Sequence, residues 1–429
     1  MADAGRLAEP RAVSVCGAIL GLVALVGVHL AERGSYWDYS EGVYALTAQL
    51  WLHGAELYGH VVAAQPPGVF VVGTGLLAVH DNLEWLRLGV GALQLGGGLI
   101  AASVVWRLTE SRLAGLVAPA AMLLTPWAVR EHGALLPELV ALPLLLGGLR
   151  WSVEPRRAVA FGVVCGLLPV VKVPLLLPAV VLLGLSVDRR RSAVAALVTL
   201  VAGILGSALL GGAAVWREVV YAQTQSGHRT ISALAGFWAQ GGWNLLGLLI
   251  PAAFAVALRA RARDPRLLRV GGFLGLAMLA TFATNFKDGT SLNIVVPVEA
   301  CLLPLALAGT ALAAQSGVRL ANRRLLACLA GLVLTLVQTA SLLGSPTHPV
   351  PFLRPGSRPA WAVTETPARL RATVAAARAC RPDLAYAGPP IVAMLAGRRM
   401  PDDQPDQFIT RTPALAAVRS EIAAAPRCG

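Results

Sequence analysis

Apolar residues run through this chain in long blocks separated by short polar stretches rich in arginine, glycine and proline. Blocks that approach the ~20 residues needed to cross a bilayer as a helix lie at 12–30, 84–106, 113–129, 138–151, 158–171, 173–187, 192–215, 242–258, 270–285, 291–314 and 325–343. The pattern predicts about eleven transmembrane helices. A further apolar segment, 67–80, is shorter and is broken by glycines, so it reads as a re-entrant or juxtamembrane helix. The block at 12–30 carries no convincing cleavage site and reads as a retained first span. With 56% hydrophobic and 14% charged residues, too little charge is present to solvate the surface of a soluble protein. The chain is expected to be an all-α polytopic membrane protein.

Charge orients this pattern. The formal net charge is +13, carried almost wholly by arginine, and the only lysines are Lys172 and Lys287. If 67–80 does not span, 18 basic and 6 acidic residues fall on one side, from Arg6 and Arg11 through Arg189 to Arg191 and on to Arg323 and Arg324. The opposite loops then hold 7 basic and 10 acidic residues. Letting 67–80 span would separate the N-terminal arginines from every later cluster. The positive-inside rule therefore places the N-terminus in the cytoplasm, with residues 31–83, 130–137, 216–241 and the tail outside. Clusters between spans make orientation the simpler account of the basic total, and no nucleic-acid partner is expected. Abundant Ala, Gly, Leu and Arg point to a GC-rich bacterium and its cell membrane.

The chain divides at about 344. Residues 1–344 form the membrane domain, and 345–429 form a proline-rich tail with 11 arginines and 6 acidic residues. A helix is expected from Ala368 to Arg381, and a strand followed by a turn, strand or helix between Leu384 and Leu395. Too few apolar residues are present for a large independent core, so the tail is expected to be a small extracytoplasmic module. Cys380 and Cys428 share it and can pair in an oxidising compartment. Cys16, Cys165, Cys301 and Cys328 lie in spans as packing residues. No CxxC, zinc-ligand, Walker or dinucleotide-binding pattern occurs.

Candidate chemistry concentrates in the first outside loop, where aromatics interleave with Asp38, Glu41 and Glu56. Asp38 and Glu41 share a helix face at this spacing, which fits either a helix-capping box or a general base with a second carboxylate beside it. Either acid can also bridge a divalent cation to a phosphate. The run Glu41-Gly42-Val43-Tyr44-Ala45, then Gly54 to Tyr58, then Gln65-Pro66-Pro67-Gly68, resembles the first external loop of the GT-C glycosyltransferases. These are membrane enzymes that use polyprenyl-phosphate-linked sugars, and they include aminoarabinose and protein mannosyl transferases. Arg87, Lys172 after a glycine-containing span, Lys287-Asp288-Gly289 with Asn293, and Leu395 to Arg398 in the tail are similar to later family motifs. The resemblance covers most of the chain in order. It departs at Ser40, which stands where the family often has the Asp of an Asp-Glu pair, so Glu41 is left as the implied base with Asp38 as its substitute.

The resemblance implies a GT-C-like fold and transfer of a sugar, with inversion, from a polyprenyl-phosphate donor to an extracytoplasmic acceptor hydroxyl of unidentified kind. Arg87, Lys172 and Lys287 would contact the donor phosphate. A second acidic position would come from Glu138, with Glu131 as runner-up, and a divalent cation (Mg or Mn) would fall to Asp38 and Glu138. Each assignment has a plainer alternative. Glu138 follows Pro137 and can simply stabilise a helix start, and the lysines can snorkel from helix ends. His132 reads as an interfacial polar group rather than a ligand. Glu299 is an intramembrane acid with no partner visible from sequence. A transporter or flippase for a lipid-linked substrate is the alternative function. It would be expected to show internal repeats and mid-membrane charges, and the chain shows only Glu299.

Overall fold

A computed structural model of the chain describes residues 3–36, 38–286, 292–315, 319–342 and 367–428. Helices dominate it. The first half runs α1 (Asp3–Glu32), α2 (Tyr39–Leu52), α3 (Gly68–Val79), α4 (Leu83–Thr109), α5 (Arg112–Leu123), α6 (Pro126–Arg130), α7 (Pro137–Val140), α8 (Leu142–Trp151), α9 (Ala158–Val171) and α10 (Leu176–Leu185). The second half runs α11 (Arg189–Val215), α12 (Ala222–Thr224), α13 (Ile231–Ala257), α14 (Pro265–Ala283), α15 (Val295–Ala314), α16 (Arg319–Leu342), α17 (Pro367–Ala379), α18 (Pro390–Ala396) and α19 (Ala416–Ala424). Two short strands, β1 (Ala385–Tyr386) and β2 (Arg427–Cys428), pair in parallel.

Seven helical stretches among the described residues are long and apolar enough to cross a membrane: Val13–Glu32, Leu83–Thr109, Arg189–Thr224, Ile231–Ala257, Pro265–Ala283, Leu292–Ala314 and Asn322–Ser341. They coincide with seven of the expected spans. Of the other four expected spans, two are split into shorter pieces. Prolines open new helices at Pro126 and, in the first turn of α8, at Pro143, so 113–129 becomes α5 and α6, and 138–151 becomes α7 and α8. Segments 158–171 and 173–187 correspond to α9 and α10. Segment 67–80 forms α3, which at 12 residues is about 18 Å long and short of a bilayer's hydrocarbon core.

The contacts place the turns at two ends of the bundle. At one end Arg107 of α4 reaches Asp264 at 2.7 Å and Glu154 at 2.9 Å, Val187 donates to the Ser152 carbonyl, and Gln315 donates to the Thr109 carbonyl. At the other end Glu84, at the start of α4, meets His29 and Arg33 near the end of α1, 3.2 and 3.9 Å away. Helices α2 and α3 therefore lie between the end of α1 and the start of α4 at the same end, which is the arrangement a non-spanning 67–80 requires.

Burial sorts the long helices. Within Leu292–Ala314, 94% of the apolar window is buried, so α15 is the axis of the bundle. In Arg189–Thr224 the figure is 11%. That helix, like α1 and α16, turns leucines and valines outward, as a lipid-facing surface requires. The tail packs on the site end. There α17 and α18 continue the core through Leu370, Val374, Ile391 and Val392, and α18 lies across α2. Gly42 makes that approach possible, because a Cβ there would stand 2.6 Å from the Ile391 nitrogen. The expected helix at 368–381 is α17, the strand-and-helix expectation is met by β1 and α18, and Cys380 is bonded to Cys428.

Candidate active site

The first loop folds back on the bundle through its own motifs. Asp38 takes the N-cap position of α2, where its Oδ1 accepts from the Ser40 amide at 2.7 Å. Tyr58 is held in the left-handed region at φ 66°, fully buried, and its hydroxyl donates to the Gln65 carbonyl at 2.7 Å. That bond offsets a backbone strain of about 1–3 kcal/mol and ties the Gly54–Tyr58 turn to the Pro66-Pro67 entry of α3.

Glu41 points inward from the first turn of α2 and meets Arg87 of α4. Nε donates to Oε1 at 2.6 Å and Nη2 to Oε2 at 2.8 Å, while Nη2 also donates to the Ser35 carbonyl at 2.8 Å. Both side chains are buried, so this is a two-point ion pair in a dry setting. The loop after α6 closes against the same place. Gly133, at φ +67°, lies so near the Arg87 carbonyl that a Cβ would stand 2.5 Å from it, and its amide donates to Gln94 Oε1 at 3.3 Å. This brings Arg130, Glu131 and His132 to Arg87. Together with Glu32, Ser35, Asp38 and Glu41 they line a cleft of about 240 Å³, including its open mouth.

The electrostatics of the cleft are uneven. Burial, reinforced by the Asp38 charge, pushes the Glu131 carboxyl well above the usual range. Its Oε1 lies 3.5 Å from Arg130 Nε, and its Oε2 has no hydrogen-bond partner among the described residues. Burial, with His29 and Arg87 adding to it, lowers His132 to about 3, so its imidazole is neutral. Burial also raises the Tyr36 hydroxyl well above its ordinary value, with the Glu41 and Asp38 charges acting in the same direction.

A second buried pair lies alongside. Lys172, the extended residue that ends α9, contacts Glu138 Oε1, and Glu138 Oε2 has no hydrogen-bond partner among the described residues. Tyr44 of α2 lies within reach of Glu138, Asp406 and Asp38: burial, then their charges, raise its hydroxyl well above the ordinary value. Asp406 comes from the tail, where Tyr39 also donates to the Pro405 carbonyl at 3.2 Å.

Of the residues singled out in the sequence, Asp38, Glu41, Arg87 and Glu131 share the cleft, and Lys172 and Glu138 form the neighbouring pair. Lys287 lies outside the described residues. Glu299 of α15 is apart from the cleft and accepts from the Trp127 amide at the start of α6, 3.1 Å away, which supplies the partner the sequence did not show. Arg130, Tyr36, Tyr44 and Asp406 were given no role from the sequence, and His132 was set aside as an interfacial polar residue. Tyr44 lay within the quoted Glu41–Ala45 motif and was the one with a signal. Among the described residues no three His, Cys, Asp or Glu side chains converge closely enough to hold a metal ion. Asp38 lines the cleft, and one Glu138 oxygen is taken by Lys172.

The chain is a long helical bundle with a non-spanning helical first loop, polar chemistry at one end and a small tail closing over it. Two solved structures share this fold: ArnT from Cupriavidus metallidurans bound to undecaprenyl phosphate, and the same protein in the apo state. Each matches at TM-score 0.63 and 15% identity, covers 95% of this chain, and is itself covered over 89% and 88% of its length respectively. At that identity the likeness is one of fold. No family model and no curated relative matches the chain.

Proposed function

We propose that the protein is a membrane glycosyltransferase. It takes a sugar from a polyprenyl-phosphate carrier and transfers it, with inversion, to an acceptor hydroxyl on the extracytoplasmic side. The observation that carries this reading is the convergence, at one end of a GT-C-type bundle, of Asp38 and the Glu41–Arg87 pair in one cleft with the Lys172–Glu138 pair beside it. Undecaprenyl phosphate bound to ArnT, a protein of the same fold, supports a polyprenyl phosphate as the carrier.

The geometry divides the work between the two first-loop acids. Both Glu41 oxygens face the Arg87 guanidinium, so a proton would reach Glu41 only by breaking a charge-assisted contact. Asp38 sits at the cleft lining with Oδ1 on an exchangeable cap bond. Asp38 accepts the acceptor proton as its oxygen attacks the anomeric carbon. The bond from that carbon to the phosphate oxygen breaks, and its electron pair leaves with the carrier phosphate. Lys172, together with Lys287, compensates the charge on that leaving phosphate, and Glu41 and Arg87 hold the loop in place.

The test is turnover of a panel of radiolabelled polyprenyl-phosphate sugars by purified protein in detergent. Asp38→Asn is expected to lower kcat by about 10²–10⁴-fold with folding intact. Glu41→Gln is expected to lower activity together with thermal stability. No turnover of any donor, alongside protein-dependent movement of the lipid across vesicles, would instead establish a flippase.

A further inference from the structure

Helices α9 and α11 run parallel and begin side by side at the end of the bundle opposite the cleft. Gly162 of α9 lies so near α11 that a Cβ would stand 2.3 Å from the Ser192 carbonyl oxygen, and one turn on, a Cβ at Gly166 would stand 2.5 Å from the Ala196 carbonyl oxygen. The Val187 amide, just ahead of α11, donates at 3.1 Å to the Ser152 carbonyl, in the turn that leads into α9. This register sets Arg156 and Arg157, just before α9, beside Arg189, Arg190 and Arg191 in the first turn of α11. All five are exposed.

The acids within reach are already taken. Glu154 holds Arg107, Arg150 and Arg157, and Asp188 caps α11 and lies 3.6 Å from Arg191. Farther along the same end, Asp264 holds Arg107 and Glu110 holds Arg263. Among the described residues no ion pair or side-chain hydrogen bond engages Arg156, Arg189 or Arg190. Three like charges therefore share one short stretch of surface with no counter-charge from the described chain.

The surface that continues from them is apolar. On α11, Arg190, Val194 and Val198 recur every four residues and so lie on one face, with the two valines 57% and 62% exposed. On α9, Val159 and Val163 are turned outward in the same way, 59% and 36% exposed. Helix α11 belongs to a stretch long and apolar enough to cross a membrane, with 11% of its apolar window buried, so its valines face acyl chains in a bilayer. A free anion or the acidic face of a soluble protein would be matched by the guanidiniums alone. Guanidiniums set directly over a lipid-facing apolar strip match a molecule with a phosphate at one end and hydrocarbon below it.

We infer that the heads of α9 and α11 form a binding site for an anionic phospholipid. Its phosphate contacts Arg156, Arg189 and Arg190, and its acyl chains lie along Val159, Val163, Val194 and Val198. The site stands independently of the glycosyltransferase reading.

The experiment measures lipid binding to the full-length protein in a neutral detergent by native mass spectrometry. The probes are phosphatidylglycerol, phosphatidylcholine with the same acyl chains, and glycerol 3-phosphate. The wild type is expected to bind phosphatidylglycerol about tenfold or more tightly than phosphatidylcholine. Glycerol 3-phosphate in large excess is expected not to displace the bound lipid. The combined Arg156→Gln, Arg189→Gln and Arg190→Gln variant is expected to bind phosphatidylglycerol no better than phosphatidylcholine. A second variant, Arg259→Gln with Arg261→Gln and Arg266→Gln, removes the same charge from exposed arginines elsewhere at this end and is expected to leave the affinity unchanged. Thermal midpoints check that both variants fold, and the wild-type comparison of the two lipids decides without them should either fail. Equal affinity of the wild type for the two lipids overturns the inference, as do equal affinities of the two variants for phosphatidylglycerol. Displacement by glycerol 3-phosphate also overturns it and marks a patch for soluble anions instead.

Discussion

Arg87 does two things at once: it neutralises Glu41 and it anchors the Ser35 carbonyl just ahead of α2. Removing it strands a buried carboxylate, so Arg87→Ala is expected to cost about 3–5 kcal/mol, read as a large fall in the thermal midpoint in detergent. Arg87→Lys keeps the charge but loses the planar two-point contact and is expected to fall between. His132 makes a different prediction. Its folded-state pKa of about 3 lies below the unfolded value of 6.5. The unfolded chain therefore binds the extra proton between those values, and the stability His132 confers is complete above pH 6.5 and is lost as pH falls towards 3. By pH 5 the loss is about 2 kcal/mol. His132→Gln lacks the titration, so its thermal midpoint is expected to fall less than that of the wild type between pH 7 and pH 5. Asp38 and Glu41 were picked out in the sequence by their spacing and the loop motif, and Arg87 by its place at the start of the second span. Their pairing was not, because the Glu41–Arg87 contact spans 46 residues and nothing in local spacing encodes it. His132 is buried because Gly133 folds its loop onto α4.

Among the elements, hydropathy located each long helix but smoothed over the breaks. Averaged apolarity runs through Pro126 and Pro143, where the backbone has to restart, so the expected spans 113–129 and 138–151 each became two shorter helices. Helix α11 shows the reverse: Gly212 kinks it at φ 52°, ψ −132°, and a π-helical turn at Trp216–Tyr221 carries it on, so Glu218 turns inward to accept from the Ala63 amide at 3.0 Å. The docking of α18 on α2 was invisible in the sequence beyond the quoted Gly42. Gly42→Val is expected to lift α18 from α2. Limited proteolysis should then cut the tail near 396–400 faster than in the wild type, while the hydrophobic bundle stays intact.

At the scale of the molecule, the tail is fastened to the first loop at several points. Gln404 accepts from the Val62 amide at 2.9 Å and donates to the His60 carbonyl at 2.6 Å, and the Cys380–Cys428 bond closes 48 residues of chain. Replacing both cysteines with serine is expected to destabilise the tail by up to about 4 kcal/mol, read as earlier proteolysis of 367–428 with little change in the bundle. The same bond tests orientation. With the tail on the oxidising side, Cys380 and Cys428 in acid-quenched, denatured protein should resist a maleimide–polyethylene glycol reagent until they are reduced. Reaction of both without reductant would place the tail in a reducing compartment. The one-sided arginine count anticipated the meeting of Arg107, Arg150 and Arg157 around Glu154 at one end of the bundle.

The axial position of α15 bears on biogenesis. The helix that touches the most neighbours is made late, after 290 residues have already emerged, and until then α4, α8 and α13 have nothing to close around. A ribosome-stalled chain ending before residue 292 should therefore present a half-open ring of greasy surfaces, the natural client of a membrane chaperone. Final closure would follow the arrival of one hydrophobic plug rather than the steady addition of walls.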